Sequence, residues 1–199
     1  IGAGLAFSNS DESAPAIAAF RAATIKYPKS VLPWVYLGIE HVRTNDLKMA
    51  QSYLVSALEL CKSNVTRGVI LNEIAIICIK SGQFEAAIEN LQLCNSDDSV
   101  ITTNMGYAML KGKLIDDALR VFDKAVGADR HNGNAIMGLA YCFHCKGSLS
   151  RAVDLYNRAL MEIRGSKKTE ILITNLIQLA VNEFALTTKH TKHDNDMTD

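Results

Sequence analysis

Small and apolar residues recur along the chain in a fixed order, five times, at a spacing near 34 residues. Each copy begins with a small residue, and an alanine follows twelve positions later. An aromatic residue or leucine lies four positions after that alanine, and another small residue lies three positions further on. The copies are Gly4–Ala16–Phe20–Ala23, Gly38–Ala50–Leu54–Ala57, Ala75–Ala87–Leu91–Cys94, Gly106–Ala118–Phe122–Ala125 and Ala140–Ala152–Tyr156–Ala159. Such a period is typical of stacked helical units, so the pattern predicts an all-α solenoid.

Each copy divides into two helical stripes separated by a turn. In the second copy, Trp34, Leu37, Gly38 and His41 recur at helical spacing and predict one face of a first helix. Turn residues at 44–46 follow, and a second stripe begins at Leu47. Two helices joined by so short a turn must lie antiparallel, and the superhelical solenoid is therefore built from antiparallel helix pairs.

The small residues predict where the two helices of a pair touch. Gly38 and Ala50 would let two backbones approach closely, and Leu54 would fill the space beside them. A leucine in place of either small residue would overpack the contact, at a cost of about 1–3 kcal/mol. The same arrangement is expected in every copy.

The predicted domain organisation follows from the repeat. Residues 1–186 form the solenoid, with about five repeats and a capping helix at 170–184, and the polar residues 187–199 form a disordered tail. The first repeat is read as truncated, because the chain starts with Ile1 instead of Met and a repeat is already under way at Gly4. The chain is therefore expected to be the C-terminal part of a longer protein.

Composition narrows the classes of function. Hydrophobic residues make up 48% of the chain, enough for a continuous core. Lys plus Arg and Asp plus Glu both number 21, so the chain lacks the basic excess of a nucleic-acid-binding protein. The sequence has no apolar run long enough to span a membrane. Its five cysteines are an odd number and predict reduced thiols in a cytosolic or nuclear protein.

The sequence offers no recognisable catalytic or metal-binding constellation. Cys142 and Cys145 form a CxxC, but a structural zinc site needs about four ligands and no second pair exists. His190 and His193 in the polar tail are not expected to bind metal either. Glu40 and Glu73 are interpreted as bonding a neighbouring helix or a partner, not as general bases. We therefore expect a protein that is not an enzyme and has no cofactor and no metal.

The repeat resembles the tetratricopeptide repeat (TPR). The resemblance rests on the period, on Trp34 at the fourth place, on Leu37 and Gly38 three and four places later, and on the later small and aromatic positions. It covers about residues 1–161. Alanine replaces glycine in the third and fifth copies, and Cys94 replaces alanine. The resemblance implies a concave groove for protein partners in place of a catalytic pocket.

A narrower resemblance concerns three consecutive stretches. Residues Tyr36–Leu58, Leu71–Leu91 and Asn104–Leu119 are similar, in order, to repeats of a TPR scaffold subunit family of the anaphase-promoting complex. This implies a ubiquitin-ligase scaffold in the nucleus and cytoplasm, acting in cell division and mitosis. It also implies a groove that binds a small accessory subunit or extended peptide, contacts with neighbouring TPR subunits, and homodimers only through repeats that this chain lacks. No nucleic acid or membrane partner is expected.

Groove residues are predicted from the register of the first helices, one or two positions from the core face. They are Val35, Tyr36, Ile39 and Arg43 in the second copy; Asn72, Glu73, Ile76 and Lys80 in the third; Thr103, Asn104, Tyr107 and Lys111 in the fourth; and Met137, Tyr141 and His144 in the fifth.

Two interpretations of these residues remain open. The apolar and aromatic members either contact a partner or pack between adjacent first helices. Arg43, Lys80 and Lys111 share one register and form either a basic ridge for acidic partner residues or favourable cations at helix C-termini.

Two other functions stay possible for the chain as a whole. One is a generic TPR adaptor of another assembly, and the other is a regulatory TPR part of a larger enzyme. A chaperone-tail adaptor is not expected, because the asparagine that clamps a carboxylate in such domains is absent after the leading small residues.

Overall fold

The computed structural model describes residues 1–163 and 166–196, with side chains through Ala185. Over these residues the chain folds into eleven α-helices with no strand. They are α1 (Gly2–Asn9), α2 (Ser13–Lys26), α3 (Val31–Arg43), α4 (Leu47–Leu60), α5 (Asn64–Lys80), α6 (Phe84–Leu93), α7 (Ser99–Lys111), α8 (Ile115–Ala128), α9 (Gly133–Cys145), α10 (Leu149–Glu162) and α11 (Lys167–Asp196).

The helices form two compact units, Ile1–Ser96 and Asp97–Asp199. In the first unit, α1 packs on α2, α3 on α4 and α5 on α6, and α3 also contacts α5. In the second unit, α7 packs on α8, α9 on α10 and α10 on α11, and α7 also contacts α9. The predicted helix pairs are therefore confirmed, and so is the all-α fold class.

The small residues lie where the helices of a pair touch, as the pattern predicts. A β-carbon added to Gly38 would lie 2.5 Å from Cγ of Leu54, which is fully buried. In the second unit the ring of Phe122 is confined on two sides, because a β-carbon would lie 2.7 Å from it at Gly106 and 2.3 Å from it at Gly138. At Gly38, Gly106 and Gly138 an alanine would therefore have to displace the neighbouring side chain.

The turns that join the two helices of each pair share one backbone feature, a residue with positive φ. Asp11, Asn45, Gly82, Lys113 and Gly147 occupy equivalent turns with φ between 58° and 75°. Glycine and asparagine adopt this conformation easily, whereas Lys113 does so at a cost in backbone strain. Polar side chains then start several helices: Asp46, for example, accepts a hydrogen bond from the backbone N–H of Met49 at 3.2 Å.

The last helix is longer than the sequence predicts. α11 starts at Lys167 and its backbone stays helical to Asp196, through most of the segment predicted to be disordered. Residues 187–196 contain neither glycine nor proline, so nothing in them interrupts a helix that is already formed. Met197–Asp199 lie outside the described residues.

The first half of α11 carries the packing of this helix. Ile173 and Ala180 are fully buried, and Ile173 belongs to the core cluster built from α9 and α10. Leu172, Leu179 and Phe184 remain half exposed. The outer face of α11 is thus less polar than expected of a capping helix.

Candidate partner-binding groove

Four of the predicted groove residues meet at one pocket in the second unit. Tyr107 and Lys111 come from α7, and Met137 and Tyr141 come from α9. They line a cavity of about 360 Å³ together with Leu110, Gly138, Leu172 and Leu176. The contribution of Leu172 and Leu176 from α11 was not predicted, although their i, i+4 spacing on an apolar helix is a signal that they share a face.

Tyr107 forms the inner wall of this pocket. Its ring meets Phe122 edge-on at 5.1 Å between centroids. Its hydroxyl donates a hydrogen bond to the backbone carbonyl of Asn134 at 3.1 Å. Burial raises the pKa of Tyr107, with a smaller contribution from Cys142, so this hydroxyl stays protonated and its hydrogen is already used.

Tyr141 stands at the pocket mouth and is 41% exposed. The neighbouring Cys145 thiol is the largest cause of the raised pKa of Tyr141, followed by burial. Tyr141 therefore presents an accessible aromatic ring that remains uncharged at neutral pH.

His144 was predicted to face the groove, but it connects helices. Its side chain is only 10% exposed, with Nδ1 3.3 Å from the Tyr156 hydroxyl and Nε2 3.1 Å from Oε2 of Glu183. The side chain thus joins α9 to α10 and α11, and it has little surface left for a partner.

Three other predicted groove residues are buried, which corrects the prediction. Val35 is 4% exposed within the core cluster of the first unit, and Asn72 is 8% exposed. Thr103 is 3% exposed, donates a hydrogen bond to the Ser99 carbonyl at 2.6 Å and accepts one from Asn132 at 3.1 Å. The physical reason is that first helices also pack on each other, α3 on α5 and α7 on α9, which buries one flank of each.

The apolar groove positions of the first unit also serve packing. Tyr36 stacks on Phe20, with the ring centroids 5.2 Å apart. Ile39 and Ile76 are partly buried against the core cluster that contains Val35. These contacts favour the packing interpretation in this unit, while Asn104 in the second unit stays partly exposed.

Two of the three basic residues bond the end of another first helix. Arg43 donates to the Ser8 carbonyl in α1 at 2.7 Å, and Lys80 donates to the Val42 carbonyl in α3 at 3.1 Å. Both contacts are those of cations at helix C-termini, and they leave less charge available for a partner. The side chain of Lys111 forms no hydrogen bond or ion pair with any residue whose side chain the structure describes.

The two acidic residues of the first helices accept hydrogen bonds from other side chains, in one case from another helix and in the other from the preceding residue. Glu40 is 1% exposed; its Oε1 accepts a hydrogen bond from the Ser8 hydroxyl and lies 3.7 Å from Nη1 of Arg43, while Oε2 has no hydrogen-bond partner. Glu73 accepts a hydrogen bond from Asn72 at 3.3 Å, and burial raises the pKa of its carboxyl. Glu40 thus acts as a contact between α3 and α1.

Within the described ranges, no cluster of three or more His, Cys, Asp or Glu residues is suited to hold a metal ion. Cys142 of the CxxC is buried, and burial together with Cys145 raises its pKa to about 12. The side chains of His190 and His193 lie outside the described part. Each helix that the structure describes is too short or too polar to cross a membrane.

Comparison with known proteins identifies a group of relatives, although no family model matches the chain. The chain is 25% identical to anaphase-promoting complex subunit 6 of Arabidopsis thaliana over 75% of its length and 28% of that protein. It is 24% identical to subunit CDC16 of Saccharomyces cerevisiae, covering 85% of the chain and 21% of the relative. It is 23% identical to subunit cut9 of Schizosaccharomyces pombe, covering 94% and 28%. The chain thus spans less than a third of these relatives.

Solved structures show the same fold. The crystal structure of the APC/C hetero-tetramer Cut9–Hcn1 matches with a TM-score of 0.78 at 20% identity, covering 89% of this chain and 35% of that one. The TPR protein YrrB matches with a TM-score of 0.62 at 17% identity, covering 88% of both chains. The chain therefore has the fold of a TPR solenoid, and its sequence relatives include the subunit 6, CDC16 and Cut9 proteins of the anaphase-promoting complex.

Proposed function

We propose that this chain is a non-catalytic protein-interaction module of an anaphase-promoting complex TPR subunit. In that role it serves assembly of the ubiquitin ligase and cell-cycle control, in the nucleus and cytoplasm, beside neighbouring TPR subunits. The support is the group of relatives, which match over 75% to 94% of the chain, and a fold that carries groove surfaces.

The groove is proposed to hold an extended segment of a small accessory subunit. Cut9, a relative, has been solved as a hetero-tetramer with Hcn1, and that structure matches 89% of this chain. The observation that carries the proposal here is the pocket of the second unit, where four predicted groove residues converge from two first helices. An exposed tyrosine, Tyr141, beside a partly buried methionine, Met137, is well suited to peptide recognition.

Binding to the N-terminal segment of Hcn1, measured by isothermal titration calorimetry, tests the proposal. The expected result is saturable 1:1 binding with a Kd in the micromolar range or tighter. A peptide with the same composition in scrambled order is the matched control and should not bind. Absence of binding at high micromolar concentration would remove the accessory-subunit version of the proposal.

A generic peptide adaptor is the second candidate. It is favoured by the fold likeness to YrrB, whose structure is described as having an unusual peptide-binding site. Under this alternative, the scrambled control peptide would bind about as well as the Hcn1 segment.

A further inference from the structure

The pocket of the second unit combines apolar walls with one cation. Leu110, Met137, Leu172 and Leu176 supply aliphatic surface, and the rings of Tyr107 and Tyr141 supply aromatic surface. Among the described residues that line the cavity, Lys111 alone is charged. The volume of the cavity, about 360 Å³, falls within the usual range of ligand sites, about 300–1,000 Å³.

The apolar walls are accessible from solvent. Leu172 is 50% exposed and Tyr141 is 41% exposed, although both side chains are large and apolar over most of their surface. Covering such a surface removes apolar area from water and stabilises a complex. Met137 adds a flexible thioether side chain that adapts to different occupants.

Among the polar side chains that line the pocket, Lys111 supplies the positive charge. Tyr107 already donates its hydroxyl hydrogen to the Asn134 carbonyl. Lys111, in contrast, has no bonded partner among the described side chains, unlike Arg43 and Lys80 at the same register. An occupant with a carboxylate beside its apolar group would therefore complement the one charge that the pocket offers.

We propose that this pocket anchors a protein segment in which a large apolar side chain is flanked by an acidic residue. The apolar side chain fills the cavity between α7, α9 and α11, and the carboxylate accepts a charge-assisted hydrogen bond from Nζ of Lys111. The inference rests on the proposed function for the kind of partner, a protein segment, and adds the chemistry by which that segment is selected.

Short synthetic peptides test this chemistry directly. The probes are acetylated, amidated pentapeptides with central sequences Asp-Phe-Asp, Lys-Phe-Lys and Asp-Ala-Asp, titrated into the chain with ¹³C-labelled methionine methyl groups. Only the Asp-Phe-Asp peptide is expected to shift the Met137 methyl signal in a saturable manner. Equal binding of the Lys-Phe-Lys or Asp-Ala-Asp peptide would overturn the proposal.

Matched charge variants separate a specific contact from general electrostatics. Lys111→Glu should weaken the Asp-Phe-Asp peptide about tenfold or more, because a hydrogen bond to a charged group is lost. Lys113→Glu changes the same charge two residues away, at an exposed turn position outside the pocket, and should change affinity by less than about twofold. Equal effects of the two variants would contradict a direct contact with Lys111.

Leu172→Gln probes the apolar wall at a half-exposed position, where folding should be unaffected. It should weaken the Asp-Phe-Asp peptide while circular dichroism stays unchanged. Sedimentation of the chain tests the other occupant, a second copy. A dimer that Leu172→Gln dissociates would assign the pocket to self-association and overturn the proposal.

The Hcn1 segment distinguishes failure of the pocket from failure of the proposed function. If Hcn1 binds and neither Lys111→Glu nor Leu172→Gln alters its affinity, the pocket proposal fails and the proposed function stands. If the Asp-Phe-Asp peptide binds as expected and Hcn1 does not, the accessory-subunit function fails and the pocket stands.

Discussion

Gly138→Ala tests the close packing around Phe122, which is fully buried among side chains of α7, α8 and α9. The added β-carbon would lie 2.3 Å from the ring, well inside contact distance, and the ring cannot retreat because Gly106 confines it on another side. Overpacking of this kind costs about 1–3 kcal/mol. Replacing a helical glycine by alanine returns about 1 kcal/mol through helix propensity. Because the ring is fully buried and confined on two sides, we take the upper part of the overpacking range, about 2–3 kcal/mol, and expect a net loss of about 1–2 kcal/mol.

Gly127→Ala is the matched control, because Gly127 lies in α8 with no atom within 4 Å of an added β-carbon. It should gain about 0.5–1 kcal/mol. The midpoints of thermal and urea unfolding should therefore fall for Gly138→Ala and rise for Gly127→Ala. Gly138→Ala should lower Tm by about 2–8 °C.

A second substitution identifies the clash itself. Phe122→Leu removes the ring, so Gly138→Ala should cost about 1 kcal/mol less in that background than in the wild type. If Gly138→Ala stabilises the protein as much as Gly127→Ala does, the packing described around Phe122 is wrong.

Three further predictions concern other contacts. Ala118→Leu should lower the free energy of unfolding by about 1–3 kcal/mol, because Ala118 is fully buried, whereas Lys113→Ala should leave urea unfolding unchanged; equal midpoints would refute the register. Ser8→Ala should cost about 1–3 kcal/mol in the same assay, because it removes a hydrogen bond from the buried Glu40 carboxylate, and an unchanged midpoint would show that this bond contributes nothing. Glu73→Gln should stabilise the protein at pH 7, because burial raises the folded-state pKa of Glu73 and the charged form is disfavoured there. That advantage should shrink as the pH falls through the raised folded-state pKa and be lost below the ordinary pKa of 4.5, where the unfolded carboxyl is also protonated; a difference that is constant with pH would refute it.

The sequence predicts the helix pairs because their period and their small residues report contacts within each pair. Gly38 and Ala118 are recognisable without a structure, since both positions admit only a small residue and both recur in other copies. The same pattern says less about contacts between successive first helices, which involve residues of varied size. The pattern therefore places Val35 and Thr103 in the groove, although both are buried.

The pocket of the second unit could be predicted only in part. Register alone brought Tyr107 and Tyr141 to one surface. The sequence does not point to Leu172 and Leu176, because α11 does not match the repeat pattern. The rotation of this helix about its own axis is set by packing against α9 and α10. The pattern also does not identify the acceptors of Arg43 and Lys80, because a long, flexible cationic side chain can reach several acceptors from the same backbone position.

Co-purification from the cells that produce this protein tests the central claim most directly. The protein would be tagged at its natural locus, isolated under mild conditions and analysed by quantitative mass spectrometry against an untagged control. The account predicts stoichiometric recovery of other anaphase-promoting complex subunits, with a small subunit among them. Recovery of a different stable assembly that lacks those subunits would contradict it.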